Sequence, residues 1–454
     1  MSSIIADLHI HSKYSRAVSL KMDLTEIGRC ASQKGIHLVS TGDWTHPLWF
    51  LSIQNELKEV NEGIYELKKT HPDQKHKVRY MLTTELSSIY TQGGKTRRIH
   101  NVIFSPSIKT ALKIITQLKK HGINLSSDGR PILGMSSKNL LELVLGIDPN
   151  CLLIPAHIWT PWFSLFGSKS GFDSIEECFG KENAKYIYGI ETGLSSDPIM
   201  NWQIKELETR SILSSSDAHS GQKLGREATV FISNSNLKGQ MSNLQIKSQM
   251  SNYSYTDIVN AIKQKPDGKL KIGYTIEFFP EEGKYHWTGH RTCNIKYSPK
   301  QEKEKGVICP VCKQPLTVGV ESRVADLSNK LLEKTDLLYA KNSVGLTFVE
   351  DQDKKRRPFV SIIPLLEVLS QLHNGSPTKA MRAYEEITDT IGTEFDILLK
   401  IPIDVIEKKG GLELAKAIEK IRNRSVYVDP GYDGVFGVVK LGKDEKPEIT
   451  PALF

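Results

Sequence analysis

A chain of 454 residues is too long for one ordinary domain, and 39% hydrophobic with 25% charged residues is a globular composition with apolar mass enough for real cores. No run of about eighteen apolar residues occurs, which excludes a conventional transmembrane helix, and Met1-Ser2-Ser3-Ile4-Ile5-Ala6-Asp7 has neither the basic nor the apolar region of a signal peptide, so none is expected. Sixty Lys and Arg against 52 Asp and Glu give a formal +8, compatible with a polyanion partner but common among proteins that have none.

From residue 4 to about 232, short β-rich runs alternate with amphipathic stretches. The candidate strands are Ile4–Leu8, His37–Thr41, Val78–Thr83, Arg98–Phe104, Cys151–Ala156, Tyr186–Glu191 and Ser211–Ser215. Between them Leu24–Lys34, Ile53–Lys69, Ser107–His121, Ser137–Gly146 and Pro198–Glu208 read as helices. Such alternation predicts α/β units and a parallel sheet, and seven strands predict a closed or nearly closed (β/α) barrel over residues 1–232. A polar stretch at 233–256 repeats Gln240-Met241-Ser242-Asn243 as Gln249-Met250-Ser251-Asn252 and reads as a loop or insertion. Residues 257–325 carry a cysteine cluster. Residues 326–454 form a mostly helical region, with helical runs at 326–338, 361–371, 377–388 and 411–424 and a basic run, Lys354-Lys355-Arg356-Arg357.

Cys30, Cys151 and Cys178 are scattered, whereas Cys293, Cys309 and Cys312 cluster. Six cysteines in so long a chain are no disulfide framework, so a reducing cytoplasm is expected, with one metal-held cluster. In that cluster His286-x3-His290-x2-Cys293 precedes Cys309-Pro310-Val311-Cys312. Two such knuckles close one tetrahedral zinc through His290, Cys293, Cys309 and Cys312, with His286 as the alternative imidazole. Four protein ligands leave no open position, so the zinc is structural.

The barrel strands end in metal-competent side chains. His9 and His11 follow the first strand and, at i and i+2, point the same way. Asp43 and His46 follow the second, Glu85 the third, His100 lies in the fourth, and His157 ends the fifth. Glu191 closes the sixth, while Asp217 and His219 follow the seventh. In a β/α barrel these strand ends converge on one face, which predicts a multinuclear metal site.

The Asp7-Leu8-His9-Ile10-His11-Ser12 opening, His157 and the Ser216-Asp217-Ala218-His219 pair resemble the PHP (polymerase and histidinol phosphatase) phosphoesterase domain. The resemblance implies a distorted seven-stranded barrel holding two or three divalent ions, of zinc, magnesium or manganese. It also implies His9, His11, Glu85, His100, His157, Asp217 and His219 as ligands, with Asp217, His219, His9 and Glu85 at the reacting centre. Two positions depart from the family pattern. Arg16 stands where many members have a ligand, and Trp44 where they often have His. Either Asp43 or His46 then supplies the second-strand ligand. Closely spaced ions bind phosphate oxygens, generate hydroxide and stabilise a leaving oxygen, so the reading is phosphoester hydrolysis.

Over nearly its full length the chain resembles the endonuclease Q family, including Thr41-Gly42-Asp43-Trp44-Thr45-His46-Pro47, Arg356-Arg357-Pro358-Phe359-Val360-Ser361 and Gly431-Tyr432-Asp433-Gly434-Val435-Phe436-Gly437. That family nicks DNA on the 5′ side of deaminated bases (uracil, hypoxanthine, xanthine) and abasic sites. The implied partner is double- or single-stranded DNA carrying such a base, and no membrane. Chemistry beside one altered base requires extruding it, and aromatic side chains after ligand-bearing strands would meet it. Trp44, Trp159 and Trp162 are the candidates, with Arg16, Arg226, Arg356 and Arg357 for phosphates. The terminal Pro451-Ala452-Leu453-Phe454 is a candidate docking tail for a sliding clamp. Two other readings stand beside this one, a PHP phosphatase or exonuclease without lesion specificity and a non-catalytic DNA-binding accessory protein.

Overall fold

A computed structural model describes residues 3–234, 252–330, 332 and 334–442. Most of the repeat within 233–256 and the whole Pro451–Phe454 tail lie outside these residues. The seven expected strands form with altered ends, five of them shorter, the first shifted by one residue and the fourth longer, as Ser3–Asp7, Leu38–Ser40, Arg79–Met81, Lys95–Phe104, Leu152–Pro155, Gly189–Glu191 and Ser211–Leu213. Ser3–Asp7, Leu38–Ser40 and Arg79–Met81 pair in parallel in that order, as do Gly189–Glu191 and Ser211–Leu213. A parallel bridge from Ile10 to Ala218 returns the last segment to the first and closes a distorted barrel.

The sheet is mixed where the alternation predicts a parallel one. Lys95–Phe104 runs antiparallel to Thr83–Gln92, a strand the sequence reading did not include. The two are joined by Gly93-Gly94 at φ +61° and +71°. A two-residue hairpin of this twist needs positive φ at both positions, which glycine adopts without penalty. Ala228–Ser233 pairs antiparallel with Ser3–Asp7 and then with Leu270–Glu277, so the sheet continues past the barrel. Phe359–Ser361, Thr347–Asp351 and Leu337–Lys341 extend it further.

The expected helix over 198–208 shrinks to Pro198–Trp202 with a 3-10 turn at Lys205–Leu207, and two others give way in part to strands. The helix over 53–69 is instead Pro47–Glu56 followed by a hairpin of Leu57–Asn61 and Ile64–Leu67, which turns at Gly63 with φ +64°. The helix over 326–338 is replaced by Val320–Leu327 and the strand Leu337–Lys341, which finds a partner in Thr347–Asp351. In both cases an apolar run that fits helical spacing is claimed by a neighbouring strand. Leu24–Lys34, Ile108–Lys120 and Ser137–Ile147 form as expected, each started by a side chain that accepts a first-turn N–H, from Asp23, Ser107 and Ser136 respectively.

The C-terminal region packs Leu365–Leu372, Pro377–Thr390, Glu394–Leu399, Ile403–Gly410 and Leu412–Arg422 together. Buried Arg422 donates to the carbonyls of Leu398, Ile397, Ile401 and Val344, satisfying the end of Glu394–Leu399. The helices dock on the barrel through a buried ion pair, Lys34 Nζ to Glu394 Oε2 at 2.7 Å. Among the described residues no helix is long and apolar enough to cross a membrane.

Candidate active site

The strand ends of the barrel bring their donors to one place. His9 Nε2 lies 3.7 Å from Glu85 Oε2 and 3.8 Å from Asp217 Oδ1. His11 Nε2 lies 3.2 and 3.1 Å from the same two oxygens. Glu85 stands on Thr83–Gln92 and turns its other oxygen to a second group, 2.6 Å from His100 Nδ1 and 3.1 Å from His157 Nε2. Two donor sets therefore share one carboxylate: His9, His11, Glu85 and Asp217, and Glu85, His100 and His157.

These residues fit divalent ions. His9 Nε2, His11 Nε2 and Asp217 Oδ1 are buried without a hydrogen-bond partner among the described residues. Leaving such atoms unsatisfied costs about 1–3 kcal/mol each. Imidazole with carboxylate is a donor set that zinc or manganese satisfies.

Further carboxylates fix the rings. Glu191 Oε2 lies 2.9 Å from His9 Nδ1, and Asp43 Oδ1 lies 3.0 Å from His11 Nδ1. Such pairs set which ring nitrogen is free to ligate. Asp43 Oδ2 in turn accepts from Ser12 N, Ser12 Oγ and Ser15 Oγ. Neither residue of the second-strand motif enters a donor set. Asp43 reaches the far nitrogen of His11, and the His46 ring stacks on Tyr14 at 4.4 Å. His219 stands beside the first set, its ring 4.8 Å from that of His11 and its Nδ1 2.8 Å from the Asp217 carbonyl.

The backbone is strained at the same places. Asp43, His157 and Asp217 have φ of +44°, +28° and +48°, a region non-glycine residues enter at a cost of about 1–3 kcal/mol. Gly193 makes room for one of them, since a Cβ there would lie 2.4 Å from that of His157.

Electrostatics keep the carboxylates charged. Burial alone would raise Glu85, but His100, Arg130 and His9 hold its pKa well below the usual range. Burial likewise opposes ionisation of Asp217, and His11 and His9 overcome it. Burial lowers His100 to about 4, although Glu85 pulls the other way. Arg130, whose Nη1 sits 3.0 Å from Glu85 Oε2, escaped the sequence reading. An arginine cannot ligate, so a search for donors at strand ends passes over it.

Beside Asp217 and His157 opens a cavity of about 590 Å³, also lined by Arg226, Lys284, Tyr285 and Phe436. Arg226 Nε donates to the Ser216 carbonyl. Trp162 is half-buried against Tyr285, their rings 5.7 Å apart. Trp44 and Trp159, expected at the mouth, are core residues at 0% and 1% exposure. Apolar packing claims both, and neither offers a face to nucleic acid. Arg16 is exposed, its Nε 3.4 Å from Asp128 Oδ2. Arg356 and Arg357 line a different cavity, at the other end of Ser211–Leu213.

His290, Cys293, Cys309 and Cys312 converge as a second candidate metal site, a closed set of four that fits one structural zinc. The hairpin of Thr288–His290 and Ile295–Tyr297 presents the first two. His286 is not among them. It is buried elsewhere, with its Nε2 3.6 Å from Glu321 Oε2.

Residues 364–425 match the MJ0043 C-terminal domain family. Uncharacterized protein MJ0043 of Methanocaldococcus jannaschii is 31% identical over 294 residues, which are 64% of this chain and 32% of that protein, so the match spans about a third of the relative's length. Among solved structures, the lesion-specific endonuclease PfuEndoQ from Pyrococcus furiosus superposes with a TM-score of 0.75 at 27% identity, covering 97% of this chain and 95% of that one. Endonuclease Q in complex with a 27-mer duplex bearing an abasic lesion at its active site gives a TM-score of 0.76 at 27% identity, covering 97% of both chains. The resemblance to endonuclease Q read from the sequence thus extends, in three dimensions, along nearly the whole chain.

Proposed function

We propose that this chain is a metal-dependent hydrolase of DNA phosphodiester bonds, an endonuclease that nicks on the 5′ side of deaminated bases and abasic sites for repair. The observation that carries this reading is Glu85, whose two oxygens join two donor sets at the barrel mouth of a chain built like endonuclease Q along its length. His9, His11, Glu85, His100, His157, Asp217 and His219 hold two or three divalent ions in this proposal, and His290, Cys293, Cys309 and Cys312 hold a structural zinc. Bound divalent ions supply Lewis acidity to a phosphate ester and lower the pKa of the attacking water.

The chain's own side chains do the rest. Asp43 and Glu191 hold His11 and His9 in one orientation. Arg130, Arg226, Lys223 and Lys284 supply positive charge where a phosphodiester approaches. A nucleotide turned out of the duplex fits the cavity of about 590 Å³, its base against Phe278, Tyr285 and Phe436. Under this reading the barrel, residues 1–232, carries the chemistry, and residues 257–325 and 326–454 contribute to holding the DNA.

The test uses 5′-labelled duplexes carrying one uracil, one hypoxanthine, one abasic site or no lesion, with magnesium or manganese. A single lesion-dependent nick, 5′ of the altered position, is expected. Release of mononucleotides from every duplex, or of phosphate from p-nitrophenyl phosphate alone, would replace this reading with a general PHP phosphatase or exonuclease.

A further inference from the structure

A second cavity, of about 390 Å³, lies at the end of the barrel away from the donor sets. Ser211 lines it while Ser215, four residues on along the same strand and its extension, lines the catalytic cavity. At the rise of an extended chain these positions are about 13 Å apart. The cavity's charged lining is lopsided. Arg210, Lys265, Lys271, Lys355, Arg356 and Arg357 contribute cations, and Glu208, 3.7 Å from Arg356, is the acidic side chain in the lining. Arg357 and Lys265 make no ion pair among the described residues.

The Arg356 guanidinium lies 5.9 Å from the centre of the Trp202 ring, which fixes one wall of the cavity. A concave, cationic site is complementary to a compact polyanion.

We propose that this cavity is a second ligand site, for a phosphorylated small molecule of nucleoside-diphosphate size, separate from the DNA-cleaving centre. Phosphate oxygens meet Arg356, Arg357 and Lys265. A recess of about 390 Å³ has room for a free nucleotide but not for a length of duplex.

Isothermal titration of the full chain with ADP, and separately with pyrophosphate, tests this. ADP and pyrophosphate are expected to bind the wild type, and Arg356→Gln/Arg357→Gln to weaken both by at least about tenfold, since charge-assisted hydrogen bonds are worth about 1.5–3 kcal/mol each. Lys265→Gln, an exposed change that leaves packing intact, weakens them about threefold. Asp217→Ala leaves both affinities unchanged, because the donor sets are elsewhere. Three results would overturn the proposal. One is equal binding by wild type and the arginine variant. A second is loss of binding in Asp217→Ala, which would place the ligand at the catalytic end. The third is no ADP or pyrophosphate binding at millimolar concentration, with an arginine variant that instead loses affinity for a lesion-free duplex, which would make the cavity a nucleic-acid contact.

Discussion

Asp43 Oδ1 lies 3.0 Å from His11 Nδ1, and its other oxygen is held by Ser12 and Ser15. In the proposed metal centre the aspartate of the second-strand motif would therefore act through a histidine. Asp43→Asn is expected to cost about 10–100-fold in metal affinity, the range seen when such outer partners are removed. Metal titration of the apoprotein checks this. A larger loss, with a whole equivalent of ion missing at saturation, would mean that Asp43 ligates directly.

Glu394 ties the C-terminal helices to the barrel. Its Oε2 takes Lys34 Nζ at 2.7 Å and Tyr384 Oη at 2.8 Å, and its Oε1 takes Leu365 N at 3.0 Å. Glu394→Ala strands a buried lysine and is expected to destabilise by about 3–5 kcal/mol. The double change Lys34→Met/Glu394→Leu recovers most of that, because the apolar pair leaves no unpaired charge. Urea denaturation of the three proteins gives the comparison.

Glu227 and Glu277 are both fully buried, and burial pushes Glu277 up to about 8. Burial first, then the neighbouring Glu277, raises Glu227 as well. A carboxyl raised above its unfolded value of 4.5 binds its proton more tightly in the folded state. Its stabilisation is complete below about pH 4.5 and is lost as pH rises through about 8, by about 1.4 kcal/mol per pH unit at most. Tm is expected to fall across that window, and Glu277→Gln to flatten the fall and melt higher than the wild type at pH 8. A wild-type Tm flat from pH 5 to 8 would contradict the assignment.

Cys309 is buried within the set of His290, Cys293, Cys309 and Cys312. Cys309→Ser is expected to remove one zinc per chain by elemental analysis and to expose residues around 288–316 to limited proteolysis, since so polar a module has little core of its own. Retention of full zinc content would shift that ion to other ligands.

Most of the candidate donors were legible in the sequence because they end or follow a strand, and strand ends converge by topology, whereas Glu85 and His100 stand within the strands Thr83–Gln92 and Lys95–Phe104. Their separation into ligating and supporting residues was not. Asp217 and Asp43 look alike in the chain, and the difference is which nitrogen of the His11 ring each meets, Nε2 or Nδ1. The aromatic residues misled for a related reason. Trp44 and Trp162 both follow a ligand-bearing strand, yet one is core and the other lies against Tyr285 at the cleft. The mixed sheet had a readable signal in Gly93-Gly94, between two alternating runs, whereas the strands over 337–351 pair with each other across a short turn that the helical spacing of 326–338 masked.

The central claim is that one shared carboxylate organises a DNA-cleaving metal centre, and Glu85→Gln tests it most directly. The variant and the wild type are incubated with a 5′-labelled duplex carrying a single uracil, and their bound metal is counted beside the assay. Bridging by Glu85 predicts a lesion-dependent nick by the wild type, cleavage lowered at least about a thousandfold in the variant, and at least one ion fewer per barrel. Cleavage by the variant within about threefold of the wild type, or no lesion-dependent nick by either protein, would contradict it.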